Sequence, residues 1–123
     1  MANSKNVLVI DDSQTTLVML EWFLKENGFI AHFAIDVKEA LQHIENQIPD
    51  IILLDLNMPE ISGYDFLKMI KSDENRKNIP VLVISALDSN ESKLKVKNLG
   101  AVDFIPKPLI LKELLEKIIK ILE

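Results

Sequence analysis

The chain has 123 residues, no cysteine and a net charge of −5, and 48% of its residues are hydrophobic. These values suit one domain of ordinary size with a sizeable core. We predict that this domain occupies residues 1–123. The same values exclude disulfides, thiolate zinc sites and cysteine nucleophiles and fit a cytoplasmic location. They also argue against direct contact with nucleic acid or a membrane, because Lys and Arg are scattered and no apolar run approaches the ~20 residues that span a bilayer.

Short apolar runs predict strands along the whole chain. The strand candidates lie at residues 7–10, 30–35, 51–54, 81–84 and 104–105. The first, third and fourth show no alternation of polar and apolar residues, which is typical of strands covered on both faces of a parallel sheet.

Helical patterns occupy the segments between these runs. The helix candidates lie at residues 13–27, 37–46, 62–72, 91–99 and 110–122. Gly28 and Gly100 are suited to end the first and the fourth, since glycine readily adopts a left-handed backbone. Regular alternation of strands and helices predicts a single α/β domain with helices on both faces of the sheet.

Polar side chains follow four of the predicted strands. They are Asp11 and Asp12, then Asp55, Ser85 and Lys107. In an open α/β sheet, ligands bind beyond the carboxyl ends of the strands, so we expect these side chains to converge. Clustered carboxylates repel one another, and Mg²⁺, which takes carboxylate oxygens, relieves that repulsion.

This combination of groups suits phosphoryl transfer, which requires little of a protein beyond positioning and charge neutralisation. An aspartate can act as the covalent acceptor. Asp55 suits that role because its strand is expected near the middle of the sheet, whereas Asp11 and Asp12 suit the metal. Lys107 can supply positive charge to the phosphoryl group, and Ser85 can donate a hydrogen bond to it.

Each residue taken alone has an ordinary interpretation. Asp12 or Ser13 could cap the first helix, and Asp55 could be a loop acid before a turn. Ser85 could be an end-of-strand serine and Lys107 a surface lysine. Their joint occurrence at the ends of successive strands favours a functional site.

Four stretches resemble a response-regulator receiver domain of a two-component system. They are VLVIDDS (7–13), IILLDLNMPEISG (51–63), PVLVISA (80–86) and GAVDFIPKP (100–108), and together they extend over essentially the whole chain. The resemblance implies a single doubly wound, five-stranded parallel sheet of order 2-1-3-4-5, the flavodoxin/CheY-like (βα)5 fold.

The resemblance also implies a role for each site residue. Asp55 resembles the phosphorylated aspartate, and Asp12, Asp55 and the Asn57 carbonyl resemble the ligands of Mg²⁺. Asp11 resembles the acid that holds metal-bound water.

The remaining implied roles concern the phosphoryl group and the response to it. Ser85 and Lys107 resemble the pair that contacts the phosphoryl group. Phe104 resembles an aromatic switch that turns inward when Ser85 moves toward that group. The Lys107–Pro108 bond corresponds to one that is often cis in this family.

The implied function is signalling and not enzymatic turnover. Such a domain accepts its phosphoryl group from a histidine kinase, a histidine phosphotransfer domain or a small donor such as acetyl phosphate. It catalyses its own phosphorylation and dephosphorylation. It then switches a surface of helix 4, strand 5 and helix 5 toward an effector or a fused output domain, as a monomer or as a phosphorylation-dependent dimer.

Three other functions fit the sequence less well. A haloacid-dehalogenase-like hydrolase has a second aspartate where this chain has Asn57. A nucleotide or flavin site needs a glycine-rich loop, and the chain has only three glycines. A receiver used only as a non-phosphorylated binding module stays open, although such a module would not need every pocket residue.

Predictions for residues outside the pocket concern two helices and the histidines. On the first helix we predict a core stripe and an outward docking patch for a phosphodonor; the stripe is Leu20, Phe23 and Leu24 with Thr16 and Met19, and the patch is Leu17, Val18 and Trp22. Glu113 and Lys117 have the spacing of a helical ion pair. His32 and His43 have no partner at metal-ligand spacing, so we expect both to be solvated.

Overall fold

The continuous apolar runs produce a buried, parallel sheet. In the computed structural model, which describes residues 4–56, 63–86 and 90–123, the strands are β1 (Asn6–Ile10), β2 (Ile30–Ala34), β3 (Ile51–Asp55), β4 (Val81–Ser85) and β5 (Asp103–Pro106). Within those ranges they pair in parallel in the order β2-β1-β3-β4-β5. The predicted fold class and strand order are confirmed.

Helices cover both faces of this sheet. They are α1 (Gln14–Glu26), α2 (Val37–Asn46), α3 (Gly63–Ser72), α4 (Asn90–Asn98) and α5 (Leu111–Leu122). Buried side chains of α2, α3 and α4 pack on one face, and those of α1 and α5 pack on the other. Every residue of β3 and β4 is buried as a result, which explains why those segments are apolar without alternation.

Local capping sets the ends of α1. Ser13, and not Asp12, is its N-cap, because the Ser13 hydroxyl accepts a hydrogen bond from Thr16 N at 3.3 Å. After α1, Gly28 adopts a φ of 86°, and after α4 Gly100 adopts a φ of 107°. Both glycines therefore terminate their helices in the left-handed region, as predicted.

The predicted core stripe of α1 is wrong by one position. Leu17, assigned to the outward patch, is buried beside Leu20 and Leu24, whereas Met19, assigned to the stripe, is exposed. Apolar residues surround this helix, so periodicity alone allows two stripes. Packing against the sheet and α5 selects the stripe of Leu17, Leu20 and Leu24. Val18 and Trp22 are exposed as predicted, at 69% and 63%.

The last two helices differ in how they are held. Between residues 91 and 98, α4 buries only Val96, and Leu94 is 61% exposed. On α5, Leu114 and Ile118 are buried.

The partner of Lys117 is the Asp103 carboxylate of β5, at 2.8 Å, which corrects the predicted pairing with Glu113. β5 brings a carboxylate to Lys117 from outside the helix, and spacing along α5 could not reveal it.

Across the described ranges, no helix combines the length and the apolar character needed to cross a bilayer.

Candidate functional site

Three carboxylates meet at the carboxyl edge of the sheet. Asp11 and Asp12 follow β1, and Asp55 ends β3, which lies directly beside β1. One oxygen from each carboxylate lies within 4.8 Å of the other two. Asp11 and Asp55 are only 4% and 3% exposed, whereas Asp12 is open to solvent. The convergence that the sequence predicted is therefore present.

Backbone hydrogen bonds hold Asp11 in place. Its N–H donates to the Ala34 carbonyl at 3.0 Å, which ties the end of β1 to β2. Its Oδ1 accepts a hydrogen bond from Ser13 N at 2.8 Å. The turn from β1 into α1 thus orients the buried carboxylate before any ligand binds.

Lys107 brings positive charge to the same edge. Its Nζ lies 3.4 Å from Asp55 Oδ1, and its side chain is 30% exposed. Its backbone N–H donates to the Ser85 carbonyl at 2.9 Å, and the Lys107–Pro108 bond is cis, as the resemblance implied. Lys107 thus connects the ends of β3, β4 and β5 at the site.

The pKa of the Asp11 carboxyl reflects its burial above all, with smaller contributions from neighbouring groups. Burial raises the pKa of the Asp11 carboxyl, and the charges of Asp55 and Asp12 raise it further. The hydrogen bond from Ser13 N and the charge of Lys107 act in the opposite direction, but they do not restore the ordinary value.

This donor set fits a hard divalent cation. Three carboxylates within one coordination sphere offer only oxygen atoms, and two of them are buried with one lysine nearby. Mg²⁺ takes such ligands and keeps several of its own waters, so the exposed side at Asp12 suits it. Asn57, predicted to add a backbone carbonyl, lies outside the described residues.

Ser85 and Phe104 lie on one face of the sheet. Ser85 is fully buried at the end of β4, and Phe104 is 6% exposed on β5. Val83 is the register partner of Phe104, and Ser85 follows Val83 by two residues, so the side chains of Ser85 and Phe104 emerge on the same face. That face is the one that α4 covers.

Gly63 is a site-supporting residue to which the sequence analysis assigned no role of its own. A Cβ added at Gly63 would lie 2.7 Å from Leu56 Cα and 3.0 Å from the Asp55 carbonyl oxygen. The start of α3 therefore approaches the end of β3 more closely than any side chain permits. The signal available in the sequence was the glycine itself, eight residues after Asp55.

Comparison with protein families identifies the chain. The family model described as the response regulator receiver domain matches residues 7–119. The chain belongs to this family. It is therefore a signalling domain of the kind found in two-component systems, and below we call it the receiver domain.

Individual relatives and solved structures agree with this assignment. The receiver domain is 36% identical over 116 residues to the transcriptional regulatory protein PrrA of Mycobacterium leprae. The aligned region covers 94% of this chain and 49% of that protein. It superimposes on the Vibrio cholerae chemotaxis protein CheY4 with a TM-score of 0.91, at 29% identity over 97% of this chain and 99% of that one. For the receiver domain of the Francisella response regulator 1452 the TM-score is 0.90, at 33% identity over 97% of each chain.

The chain spans about half the length of the curated relatives it matches. The response regulator MprA of Mycobacterium sp. (strain KMS) shows the same relation: 35% identity extends over 90% of this chain and 47% of that protein.

The sequence did not predict two contacts between lysines of α4 and aromatic rings, because each contact joins separate elements. Lys95 of α4 places its Nζ 4.1 Å from the ring centre of Tyr64 on α3. Lys93 of α4 lies 5.9 Å from the ring centre of Phe104. Both are cation–π distances. Nothing in the spacing of these residues along the chain pairs them.

Proposed function

We propose that the receiver domain accepts a phosphoryl group on Asp55 and signals through the surface formed by α4, β5 and α5. The observation that carries the proposal is the placement of the Asp55 carboxylate. It is buried at the end of the third strand, beside two further carboxylates, with Lys107 Nζ at 3.4 Å.

In the proposed reaction an oxygen of Asp55 forms a bond to the phosphorus of the donor. The bond from phosphorus to the donor nitrogen or oxygen breaks, and the leaving imidazole or acetate keeps the electron pair. Lys107 offsets negative charge on the transferred group, and the Ser85 hydroxyl donates a hydrogen bond to it. Asp11, Asp12 and Asp55, with the Asn57 carbonyl, would hold Mg²⁺, which supplies further positive charge to the phosphoryl oxygens when bound. In the self-catalysed loss of the group, water oxygen bonds to the phosphorus, the bond to the Asp55 oxygen breaks, and inorganic phosphate leaves as the carboxylate is restored.

The response to phosphorylation is proposed to pass through Ser85 and Phe104. Their side chains share the sheet face that α4 covers, so a shift of Ser85 toward a phosphoryl group changes the space next to Phe104. Phe104 is already buried in this structure. Phosphorylation would therefore favour a population in which α4 is repositioned around an inward Phe104.

The proposed phosphodonors are a histidine kinase, a histidine phosphotransfer domain and acetyl phosphate. The exposed side chains of Val18, Met19 and Trp22 give α1 an apolar outer surface, which suits docking of a donor protein. The α4–β5–α5 surface would contact an effector or a fused output domain, as a monomer or in a phosphorylation-dependent dimer. A single receiver domain over residues 1–123 and a cytoplasmic location belong to the same proposal, the latter because a cysteine-free chain fits a reducing compartment.

Intact-mass spectrometry after incubation with acetyl phosphate tests the acceptor. We expect a gain of one phosphoryl group that requires Mg²⁺ and is lost in Asp55→Asn. Asp65→Asn, which alters an exposed carboxylate on α3, is the matched control and should label as wild type. If wild type gains no mass, binding of beryllofluoride is measured next, because rapid hydrolysis can hide the phosphorylated form. Failure of both would favour a binding module that is not phosphorylated.

A further inference from the structure

The two histidines are less exposed to solvent than the sequence suggested. His32 lies on β2 and His43 on α2, and their ring centres are 5.9 Å apart with an interplanar angle of 44°. Both side chains are partly buried. β2 is an edge strand whose register partner for His32 is Leu8, so His32 faces the side of the sheet that α2 covers. This packing creates the contact, which a separation of eleven residues along the chain did not indicate.

The two rings line a cavity of about 140 Å³ between the sheet and the end of α2. Among the described residues, the buried His32 Nε2 has no hydrogen-bond partner. Polar atoms buried this deeply are usually paired in native proteins, and ordered water and ions are among their partners. Asn46 and Gln47 also line the cavity, and both residues have amide side chains.

We propose that His32 and His43 bind a divalent transition metal ion of the Zn²⁺, Ni²⁺ and Cu²⁺ class in this cavity. A metal bound to a ring nitrogen at about 2.0–2.1 Å lies roughly 3 Å from the ring centre, so two imidazoles that share one ion have centres roughly 5–6 Å apart. The observed separation of 5.9 Å agrees with that value. Imidazole is a preferred ligand of these metals and a poor one for Mg²⁺.

The electrostatic surroundings of the cavity also favour a cation. His43 lies in the last turn of α2, and the C-terminal end of a helix carries partial negative charge. Asn6, which lines the cavity, donates its backbone N–H to Asp50 Oδ2 at 2.7 Å. The side-chain oxygen of Asn46 or Gln47 and water would complete the coordination.

This site is separate from the acidic one. The cavity is lined by Asn6 and Leu8 of β1, whereas Asp11 follows the last residue of that strand, three residues or roughly 10 Å beyond Leu8. The proposal therefore does not depend on phosphorylation of Asp55, and the two can fail independently. An ion there would connect β2 to α2 and stabilise the folded chain by mass action.

Pulsed electron paramagnetic resonance of untagged protein with one equivalent of Cu²⁺ tests the site, with excess Mg²⁺ present to occupy the carboxylates. The chain contains two histidines, so signals from the remote nitrogens of two imidazoles in a monomer can arise only from His32 and His43. We expect two such imidazoles in wild type and in Asp55→Asn. His43→Gln and His32→Gln should each lose the two-imidazole signal, and circular dichroism verifies that the variants are folded.

Three results would overturn the proposal. The first is Cu²⁺ without any imidazole signal, which would leave His32 Nε2 to a bound water. The second is a signal from one imidazole that is unchanged in His43→Gln. The third is a two-imidazole signal accompanied by a dimer in analytical ultracentrifugation, since the ion would then join histidines of two molecules.

Discussion

The third strand and the fourth helix of this receiver domain are held in opposite ways. All five residues of β3 are buried between two helical layers, and the strand ends at Asp55. Between residues 91 and 98, α4 buries only Val96, and two of its lysines lie over aromatic rings. The rigid strand keeps charged groups at fixed distances, which group transfer requires. The weakly packed helix can change position at low cost, which signalling requires.

The largest effect on stability is expected in the strand. Leu53→Ala removes a fully buried side chain of β3 and should lower the free energy of unfolding by about 3 kcal/mol, since the core loses apolar contacts and gains a cavity. Leu94→Ala on α4 is the matched control and should change it by less than about 0.5 kcal/mol. Urea denaturation measures both. Equal losses would mean that α4 is packed as firmly as β3.

Removal of the positive charge of Lys107 is expected to slow the phosphorylation of Asp55 strongly. Lys107→Ala eliminates the positive charge 3.4 Å from Asp55 Oδ1 and should lower the rate of labelling by acetyl phosphate by about 10²-fold. Lys112→Ala, an exposed lysine on α5, should leave the rate unchanged. Time-resolved intact-mass spectrometry gives both rates. A Lys107→Ala protein that labels as fast as wild type would rule out charge stabilisation by this residue.

A methyl group at Gly63 should disturb the strand end from the side of α3. Gly63→Ala places a Cβ 2.7 Å from Leu56 Cα, so the backbone next to Asp55 must move, at a cost of roughly 2 kcal/mol. We expect reduced stability together with slower labelling.

Gly28→Ala separates these two effects. At Gly28 a Cβ would meet nothing within 4 Å, but its φ of 86° strains any other residue by about 1 kcal/mol. It should lower stability without slowing the labelling. Equal labelling rates in Gly63→Ala and wild type would contradict the proposed close fit between α3 and the site.

The cation–π contact between Lys95 and Tyr64 should contribute a smaller stabilising free energy, which helps to hold α4 against α3. A double-mutant cycle of Lys95→Gln and Tyr64→Leu should give a coupling energy of about 0.5–1 kcal/mol, because the ring faces the ammonium at 4.1 Å. Lys97→Gln combined with Tyr64→Leu provides the reference cycle. If both cycles gave the same coupling, α4 would be held by something other than this contact.

The smallest effect concerns the ion pair between β5 and α5. Burial alone would raise the pKa of the Asp103 carboxyl, but the hydrogen bond and charge of Lys117, with the hydrogen bond from Phe104 N, hold that pKa below its ordinary value. A lowered folded-state pKa gives stability that is present above the unfolded-state pKa of about 3.9 and is lost as the pH falls through the folded-state value.

Wild type should therefore exceed Asp103→Asn in unfolding free energy by at most roughly 0.5 kcal/mol at neutral pH, because solvent screens this pair, whose side chains are 35% and 37% exposed. The difference should shrink below about pH 4. Chemical denaturation at several pH values measures it. A difference that grows on acidification would have the wrong sign for this ion pair.

Sequence patterns sufficed where the physical cause is local or repeats along the chain. Unbroken apolar runs predicted β1, β3 and β4, because a strand covered on both faces has no polar side. Gly28 and Gly100 predicted two helix ends, because few other residues adopt a positive φ. Parallel strands place their carboxyl ends at one edge, so Asp11, Asp55 and Lys107 could be brought together from their positions after the strands.

Tertiary structure decided which of several compatible faces is buried and which distant residues meet. Leu17 replaced Met19 in the core of α1 because the sheet and α5 select one of two possible apolar stripes. Lys117 paired with Asp103, and His32 met His43, because separate elements were packed together. Such contacts depend on the three-dimensional arrangement of elements, and no periodicity along a single element predicts them.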